Sequence, residues 1–210
     1  ALMSRELILR HPDIRQFTTV WMDSLRGGES MLVNTNKLIR FYDGATGLKT
    51  GSTGSAGYCL SATAEKNGME LIAVVLKGKT SDERFSDAKS LLNYGFSTWS
   101  LVTVTPDEVL PPVPVMLGVR GTVQPVLTSE NTLLVEKTLA NGLTKEVALA
   151  ESVAAPVYAG DTLGQLTVRD AAGNTVAELP ILAGEDVGHV TFVQMLRRCL
   201  ARGFCMGPQS

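Results

Sequence analysis

Two β-forming segments joined by Asn67-Gly68 constrain the fold of this 210-residue chain more than any other feature. Residues 58–64 and 69–76 are rich in strand formers, and Asn-Gly is the dipeptide that a two-residue hairpin turn favours. Within the second segment, residues 71–76 (LIAVVL) are apolar on both faces, which indicates a central strand covered on each side. The sequence therefore predicts an antiparallel sheet with a substantial core.

One long helix and several shorter elements are predicted around this hairpin. Thr80-Ser81-Asp82-Glu83 is typical of a helix start, and apolar residues then recur at helical spacing at Phe85, Ala88, Leu91, Leu92 and Phe96. Residues 1–9 have the pattern of an amphipathic helix, whereas residues 17–25 and 31–38 are predicted to be extended. We therefore expect residues 1–101 to form an antiparallel sheet with a long helix packed against it.

The amino-acid composition and the hydrophobic pattern of the sequence change after residue 101. Four prolines lie within residues 106–114, and short runs of Val, Leu and Thr separated by glycines then continue to about residue 188. This pattern predicts a small all-β sandwich over residues 102–188. Residues 189–210 return to helical spacing and are predicted to form an amphipathic tail helix.

Composition excludes several classes of function. The net charge is −2, and residues 101–189 carry 4 Lys or Arg against 11 Asp or Glu, so no dense basic surface is available for a nucleic acid. Three cysteines without a C-x-x-C pair, with only two histidines, argue against a zinc site, and no metal or other cofactor is expected. Because residues 1–9 already resemble the middle of a helix, the chain is expected to be a fragment or a processed product.

The most informative stretch is residues 43–58, DGATGLKTGSTGSAGY. It places Lys49-Thr50-Gly51 on a predicted strand, directly before the hairpin. The five glycines of this stretch would weaken a strand with a purely structural role, which favours a functional one. A lysine and a threonine on an ordinary exposed strand edge are the alternative interpretation.

This order of motif, hairpin and helix resembles the last conserved box of serine-type D-Ala-D-Ala carboxypeptidases, the low-molecular-mass penicillin-binding proteins. The resemblance extends from residue 1 to the C-terminus. It implies an α+β fold, in which a partial penicillin-binding/β-lactamase-like domain precedes the β-sandwich and the tail. It also implies an enzyme that binds penicillin and removes the terminal D-alanine of peptidoglycan pentapeptides through an acyl-enzyme.

The resemblance assigns a role to each residue of the motif. Lys49 is expected to supply positive charge and to support proton transfer, and Thr50 to hydrogen-bond the terminal carboxylate of the substrate. Gly51 lets the acyl group lie close to the strand. The backbone N–H of Ser52 is expected to form half of the oxyanion hole, where one donor contributes about 2.7–4 kcal/mol of barrier lowering.

Arg84 is a further candidate for substrate binding. It lies at the start of the long helix, where this family often places an arginine that faces the substrate carboxylate, and a guanidinium fork suits that ligand. The alternative is a solvated arginine paired with Asp82 or Asp87.

Two further boxes of the family, S-x-x-K with the nucleophile and S-x-N, do not precede Lys49. Literal matches occur at residues 86–89 and 129–131. We reject the first because it is out of order on the predicted helix, and the second because it falls in a predicted turn of the second domain. The chain alone is therefore expected to be inactive, and the activity is expected of the parent protein.

The tail also fits the resemblance, since members of this family commonly end in a helix on the membrane surface. Its two predicted stripes are apolar (Phe192, Val193, Leu196, Leu200, Phe204) and basic (Arg197, Arg198, Arg202). The alternative is a terminal helix that docks on its own domain or on a partner chain. Cys199 and Cys205 are interpreted as small apolar members of the tail, and His11 and His189 as surface residues.

The expected partners are peptidoglycan stem peptides and β-lactams. The tail is expected to bind the outer face of the bacterial cytoplasmic membrane, so the expected location is extracytoplasmic and peripheral to that membrane. A homodimer is a further possibility. Two alternatives stay open. The first is a β-lactamase or transpeptidase, which would share the motif but is disfavoured by the second domain and the tail. The second is a non-catalytic cell-wall-binding or scaffold protein, in which the catalytic serine would be absent from the natural protein.

Overall fold

The computed structural model describes residues 1–205 of the chain. It divides into two compact units, one formed by Ala1–Leu101 with Leu134–Thr138, and the other by Val102–Leu133 with the residues from Leu139 onward. Each unit has its own buried apolar clusters.

The first unit combines helices, a small hairpin and a three-stranded sheet. In chain order its elements are α1 (Leu2–Arg10), α2 (Arg15–Thr18), β1 (Met22–Leu25), β2 (Ser30–Val33), α3 (Leu38–Phe41), β3 (Ala45–Thr53), β4 (Gly57–Lys66), β5 (Met69–Gly78), α4 (Ser81–Thr98) and β6 (Trp99–Thr103).

The paired strands β1 and β2 are shorter than the two extended segments that the sequence predicts. Phe17 belongs to α2 and Leu38 opens α3, so the prediction was wrong at both places. The chain is not extended at Leu38 because of the Asn36 side chain, whose Oδ1 atom accepts a hydrogen bond from the Leu38 backbone N–H at 3.2 Å. Such a bond from an asparagine two residues earlier turns the chain out of an extended path.

The predicted hairpin is confirmed as β4 and β5, with Asn67 and Gly68 at φ of 52° and 77°. Positive φ at both central residues is what this type of turn requires. The sheet order is β3-β4-β5, so β5 is an outer strand among those the structure describes, not a central one. Val74 and Leu76 on it are 37% and 73% exposed, and the expected cover on both faces is wrong for this chain.

The helix α4 packs its apolar side against this sheet. It begins where the sequence predicts, and the Thr80 hydroxyl caps it by accepting the Glu83 backbone N–H at 3.1 Å. Such a cap contributes about 1 kcal/mol. The buried cluster joins helix residues to sheet and α3 residues: Phe85, Ala88 and Leu92 with Leu38, Tyr42, Leu60, Ala62, Ala64, Ala73 and Val75.

The second unit is built mainly of short strands. The remaining elements of the chain are β7 (Val113–Met116), β8 (Thr122–Val123), β9 (Pro125–Leu127), β10 (Thr132–Glu136), α5 (Lys137–Ala140), β11 (Thr144–Leu149), β12 (Val153–Ala154), β13 (Thr162–Arg169), β14 (Thr175–Ala183) and α6 (Phe192–Cys205).

Two sheets share the core of this unit, one in the order β11-β13-β14-β9 and one in the order β12-β7-β8. Val113 and Val123 of the smaller sheet pack in one cluster with Leu163 and Ala183 of the larger one. A second cluster surrounds Leu166 and contains only apolar side chains. The mixed α+β fold class is confirmed.

The last described element, α6, exposes apolar side chains: Phe192, Val193, Leu196 and Leu200. The side chains of residues 198, 199 and 201–205, and residues 206–210 altogether, lie outside the described part of the chain. The predicted roles of Arg198, Cys199, Arg202, Phe204 and Cys205 therefore lie outside it too. Within residues 1–205, no helix combines the length and the apolar character that crossing a membrane would need. His11 and His189 are exposed, as predicted.

Candidate active site

The Lys-Thr-Gly motif lies on β3, at one edge of the described three-stranded sheet. In the register with β4, Lys49 lies opposite Ser61, and Gly51 lies opposite Cys59. Lys49 and Gly51 are exposed, whereas Thr50 between them is buried, as the alternation of side chains along a strand requires. One face of the motif therefore offers an ammonium group beside a position without a side chain.

The space at Gly51 is open. A Cβ atom placed on Gly51 would meet no atom within 4 Å, so a ligand can approach the strand backbone there. Ser52 is exposed at the next position. The Lys49 ammonium folds back along the strand and donates a hydrogen bond to the Thr50 carbonyl oxygen.

The Thr50 hydroxyl has a partner that the sequence did not indicate. Its Oγ1 atom lies 2.6 Å from Oγ1 of Thr35, in the loop between β2 and α3. Thr35 itself is exposed, whereas Thr50 is only 9% exposed. The hydroxyl that is predicted to bind substrate is thus held from outside its own strand.

Asn36 fixes this loop to β3. Its side chain is 2% exposed, and its Nδ2 atom donates to the Gly47 carbonyl oxygen at 2.8 Å. The preceding Asn34 donates from Nδ2 to the Val20 carbonyl at 2.9 Å and accepts the Asn36 backbone N–H at 2.9 Å. The two asparagines hold Thr35 between them.

Arg84 lies behind the motif and is 6% exposed. One terminal nitrogen donates to the carbonyl oxygens of Gly51 at 3.3 Å and Cys59 at 3.2 Å, and the other donates to the Ser81 hydroxyl at 3.5 Å. Its Nε atom is buried without a hydrogen-bond partner among the described residues. The guanidinium also lies 5.4 Å from the Tyr58 ring centroid. Arg84 pairs with neither Asp82 nor Asp87 in the described ion pairs and hydrogen bonds.

An irregularity in the sheet lies beside Arg84. The register between β4 and β5 shifts between Tyr58 and Leu60, so that β5 has one residue more than β4 opposite Cys59. Such bulges leave one residue without its ladder bonds and are common beside active sites. Beside this irregularity, one guanidinium nitrogen bridges the Cys59 carbonyl of β4 and the Gly51 carbonyl of β3.

A second polar cluster fixes the start of β3. Arg15 donates to Glu65 and to Glu70, each at 2.6 Å, and the Thr46 hydroxyl donates to Glu70 at 3.2 Å. Burial alone would lower the pKa of Arg15, but its hydrogen bonds and charge interactions with both glutamates outweigh that effect and raise the pKa. Arg15 therefore stays charged and holds the two strands of the hairpin to α2.

The five candidate residues come together in the structure. Lys49, Thr50, Gly51 and Ser52 are consecutive on β3, and Arg84 reaches Gly51 from α4. Sequence reasoning missed Thr35 and Asn36, although the polar run Asn34-Thr35-Asn36 before a buried leucine was a signal for a side-chain-bonded turn. Across residues 1–205, no group of three His, Cys, Asp or Glu side chains is placed to hold a metal ion.

Comparison with known families gives two matches on separate parts of the chain. Residues 1–80 match the family model described as D-alanyl-D-alanine carboxypeptidase. Residues 102–189 match the model described as penicillin-binding protein 5, C-terminal domain. The first match contains the whole Lys-Thr-Gly strand and ends just before α4.

Individual relatives carry the same description. The chain is 34% identical over 205 residues to D-alanyl-D-alanine carboxypeptidase DacF of Bacillus subtilis, covering 95% of this chain and 52% of that protein. It is 30% identical over 143 residues to DacC of Escherichia coli, covering 67% of this chain and 36% of that protein. The chain therefore spans about half, or less, of the length of the curated relatives it matches.

Among solved structures, penicillin binding protein 5 of Haemophilus influenzae is similar with a TM-score of 0.71 and 23% identity, over 90% of this chain and 55% of that one. Streptococcus pneumoniae PBP3, described as a peptidoglycan synthesis regulatory factor, is similar with a TM-score of 0.60 and 24% identity, over 88% and 55%. At these identities the similarity supports the fold alone.

Proposed function

We propose that the chain is part of a serine-type D-Ala-D-Ala carboxypeptidase. Residues 1–80 match the family model of D-alanyl-D-alanine carboxypeptidases, and residues 102–189 match that of penicillin-binding protein 5 C-terminal domains, which supports this proposal. In this proposal, residues 1–101 form the later part of the catalytic domain, residues 102–188 the β-sandwich domain and residues 189–210 a tail helix. The chain supplies one wall of the catalytic cleft.

One observation carries the proposal: the Lys49-Thr50-Gly51 motif lies on an outer strand whose glycine faces open space. A peptide substrate can lie along such a strand with the carbonyl of its penultimate residue close to the backbone. In the proposed reaction, a serine oxygen supplied from outside these 210 residues attacks the carbonyl carbon of the penultimate D-alanine. The C–N bond breaks, D-alanine leaves with a proton, and water then hydrolyses the ester.

Each residue of the wall has a proposed part in that reaction. The Lys49 ammonium stabilises developing negative charge and supports proton transfer. The Ser52 backbone N–H donates to the oxyanion, and Thr50 donates from its hydroxyl to the terminal carboxylate. Arg84 adds positive charge for that carboxylate from behind Gly51, whose carbonyl it bonds at 3.3 Å.

The proposed partners follow from the same assignment. They are peptidoglycan stem peptides and β-lactams at the cleft, outside the cytoplasm, with a membrane surface at α6. The exposed apolar side chains of Phe192, Val193 and Leu196 support a contact of α6 with the lipid interface. A homodimer is compatible with this arrangement.

The rival proposal is a non-catalytic cell-wall-binding or scaffold protein. Acylation by a fluorescent penicillin separates the two. We would measure it on the 210-residue chain and on the product of the complete reading frame. Labelling of the long form alone is the expected result, and labelling of neither form would favour the scaffold.

The role of Lys49 can be tested in the long form. The Lys49→Met variant should be acylated about 100-fold more slowly, because it loses the charge and the proton-transfer group. Lys89→Met, which removes an exposed lysine of α4, is the matched control and should keep the parental rate. Equal rates for both variants would contradict the assignment of the motif.

A further inference from the structure

We propose that Thr35 is a positioning residue that orients the Thr50 hydroxyl toward the terminal carboxylate of the substrate. This inference rests on the proposed function, because it concerns how the same site distinguishes a peptide with a free carboxyl end. It adds a residue that lies outside the Lys-Thr-Gly motif and 15 positions before Thr50.

The first step of the argument is the contact between the two hydroxyls. Their oxygen atoms are 2.6 Å apart, which is a short hydrogen bond between two neutral groups. Each hydroxyl has one proton to donate and two lone pairs that accept. In the structure alone, either oxygen can be the donor of this bond.

The second step is a proton count in the presence of substrate. A carboxylate carries no proton and can only accept hydrogen bonds. If the Thr50 hydroxyl donates its one proton to a hydrogen bond with the carboxylate, the hydrogen bond between the two threonines needs the proton of Thr35. Thr35 must then donate to Thr50. A hydroxyl that accepts one hydrogen bond also donates a stronger one, since linked hydrogen bonds polarise each other.

The third step is the rigidity of the loop that carries Thr35. Asn36 is 2% exposed and bonded to the Gly47 carbonyl at 2.8 Å, so the loop is fixed to the same strand that carries Thr50. Asn34 fixes its other end to the Val20 carbonyl at 2.9 Å. A hydroxyl held on both sides loses little freedom when it orients its neighbour, which is the condition for preorganised binding.

The exposure of Thr35 argues against a role in stability alone. Its side chain contributes nothing to the apolar cluster of the first unit, and the Thr50 hydroxyl is the one side-chain hydrogen-bond partner that the described residues give it. A threonine with a stability role would be buried or would cap a helix. The contact of Thr35 points at the motif instead.

The test uses the product of the complete reading frame and two substrates. One is a peptide ending in D-Ala-D-Ala with a free carboxylate, and the other is the same peptide with a carboxamide end. Thr35→Val removes the hydroxyl at nearly equal volume and should lower kcat/KM for the carboxylate peptide about tenfold. The carboxamide peptide should be turned over at nearly the parental rate.

Two further variants complete the design. Thr35→Ser keeps the hydroxyl and should restore the preference for the carboxylate peptide. Thr19→Val removes another exposed hydroxyl, one that bonds the Arg15 carbonyl, and should leave both substrates unaffected. The urea midpoint of the 210-residue chain, followed by tryptophan fluorescence, should fall slightly for Thr35→Val, because the buried Thr50 hydroxyl loses its partner. A loss of folded protein would slow both peptides equally, so it is distinguished from the positioning role.

The outcomes separate this inference from the function it rests on. If the unmodified long form is not acylated by penicillin, both proposals fall together. If it is active and Thr35→Val slows both peptides equally, or neither, the positioning role is overturned while the proposed function stands. A loss confined to the carboxylate peptide and rescued by serine supports it.

Discussion

The two units of this chain differ in what they bury. Among the residues that the structure describes, the buried polar side chains are Asn36, Thr50, Thr63 and Arg84, and all four belong to the first unit. In the second unit, the side chains that the structure describes as buried are all apolar, as in the cluster around Leu166. One core thus depends on hydrogen bonds that must be matched, and the other depends on the removal of apolar surface from water.

This difference follows the position of the motif. All four buried polar residues contact β3 or belong to it. Asn36 bonds the Gly47 carbonyl, and Arg84 bonds the Gly51 carbonyl. Thr63 hydrogen-bonds the Thr46 hydroxyl, and Thr50 is part of the motif. A buried polar group costs free energy unless it is hydrogen-bonded, so it persists where it fixes a particular geometry. Among the described residues of the second unit no such buried polar group is present, and the fold there depends on apolar packing.

The largest expected effect is in the second unit. Leu166→Ala removes a fully buried side chain and should lower the free energy of unfolding by about 2–5 kcal/mol. Both tryptophans, Trp21 and Trp99, lie in the first unit, so the tryptophan transition in urea should stay in place. Circular dichroism, which reports both units, should show the loss.

The control for that variant is Val147→Ala, at a position that is 40% exposed on β11. Its circular dichroism transition should shift far less. If Leu166→Ala moved the tryptophan transition as much as the dichroism transition, the two cores would not be independent, and the comparison between them would lose its basis.

A middle-sized effect is expected in the first unit. Asn36→Ala leaves the Gly47 carbonyl and the Leu38 N–H without their partner, and should cost about 1–3 kcal/mol. Here the tryptophan transition should shift to lower urea. Gln16→Ala, which removes an exposed amide on α2, should shift neither transition. If Asn36→Ala and Gln16→Ala shifted the tryptophan transition equally, the burial of polar groups would not distinguish the first core.

The smallest effect belongs to an exposed ion pair of the first unit. The hydrogen bond and the charge of Lys37, at 2.7 Å, hold the pKa of Asp82 below its usual range. The pair therefore stabilises the fold above the ordinary carboxyl pKa of about 3.9, and this contribution disappears as the pH falls through the lower folded-state pKa. The Asp82→Asn variant should unfold at a slightly lower urea concentration than the parent at pH 7.

The same comparison at lower pH checks the sign. The difference between parent and Asp82→Asn should shrink steadily as the buffer is taken from pH 5 toward about pH 3. Glu29→Gln, an exposed carboxyl without an ion pair among the described residues, should show no difference at any pH. If the difference in urea midpoint between the parent and Asp82→Asn widened on acidification, Lys37 would not act on Asp82 as the geometry indicates.

The sequence predicted the elements whose signals are local. The hairpin of β4 and β5 follows from Asn67-Gly68, and the start of α4 follows from the Thr80 cap. Each of these depends on residues within a few positions of one another. Local patterns are sufficient where the stabilising contact is itself local.

The features that sequence could not predict depend on distant contacts. Nothing near Arg84 in the sequence shows that it bonds the Cys59 carbonyl, 25 residues earlier. The bond between Thr35 and Thr50 joins two elements that only the folded loop brings together. The outer position of β5 was missed for a similar reason, since an apolar strand does not reveal how many neighbours it has.

That outer position has a practical consequence for anyone who handles the 210-residue chain. Val74 and Leu76 stand exposed on a strand whose far edge has no partner among the described strands, and such an edge can recruit the same strand of another molecule. Lys77 and Lys79 follow directly and oppose this self-association through their charge. High salt, which screens that charge, should therefore promote aggregation during concentration and storage of this chain, and low-salt buffers should preserve its solubility.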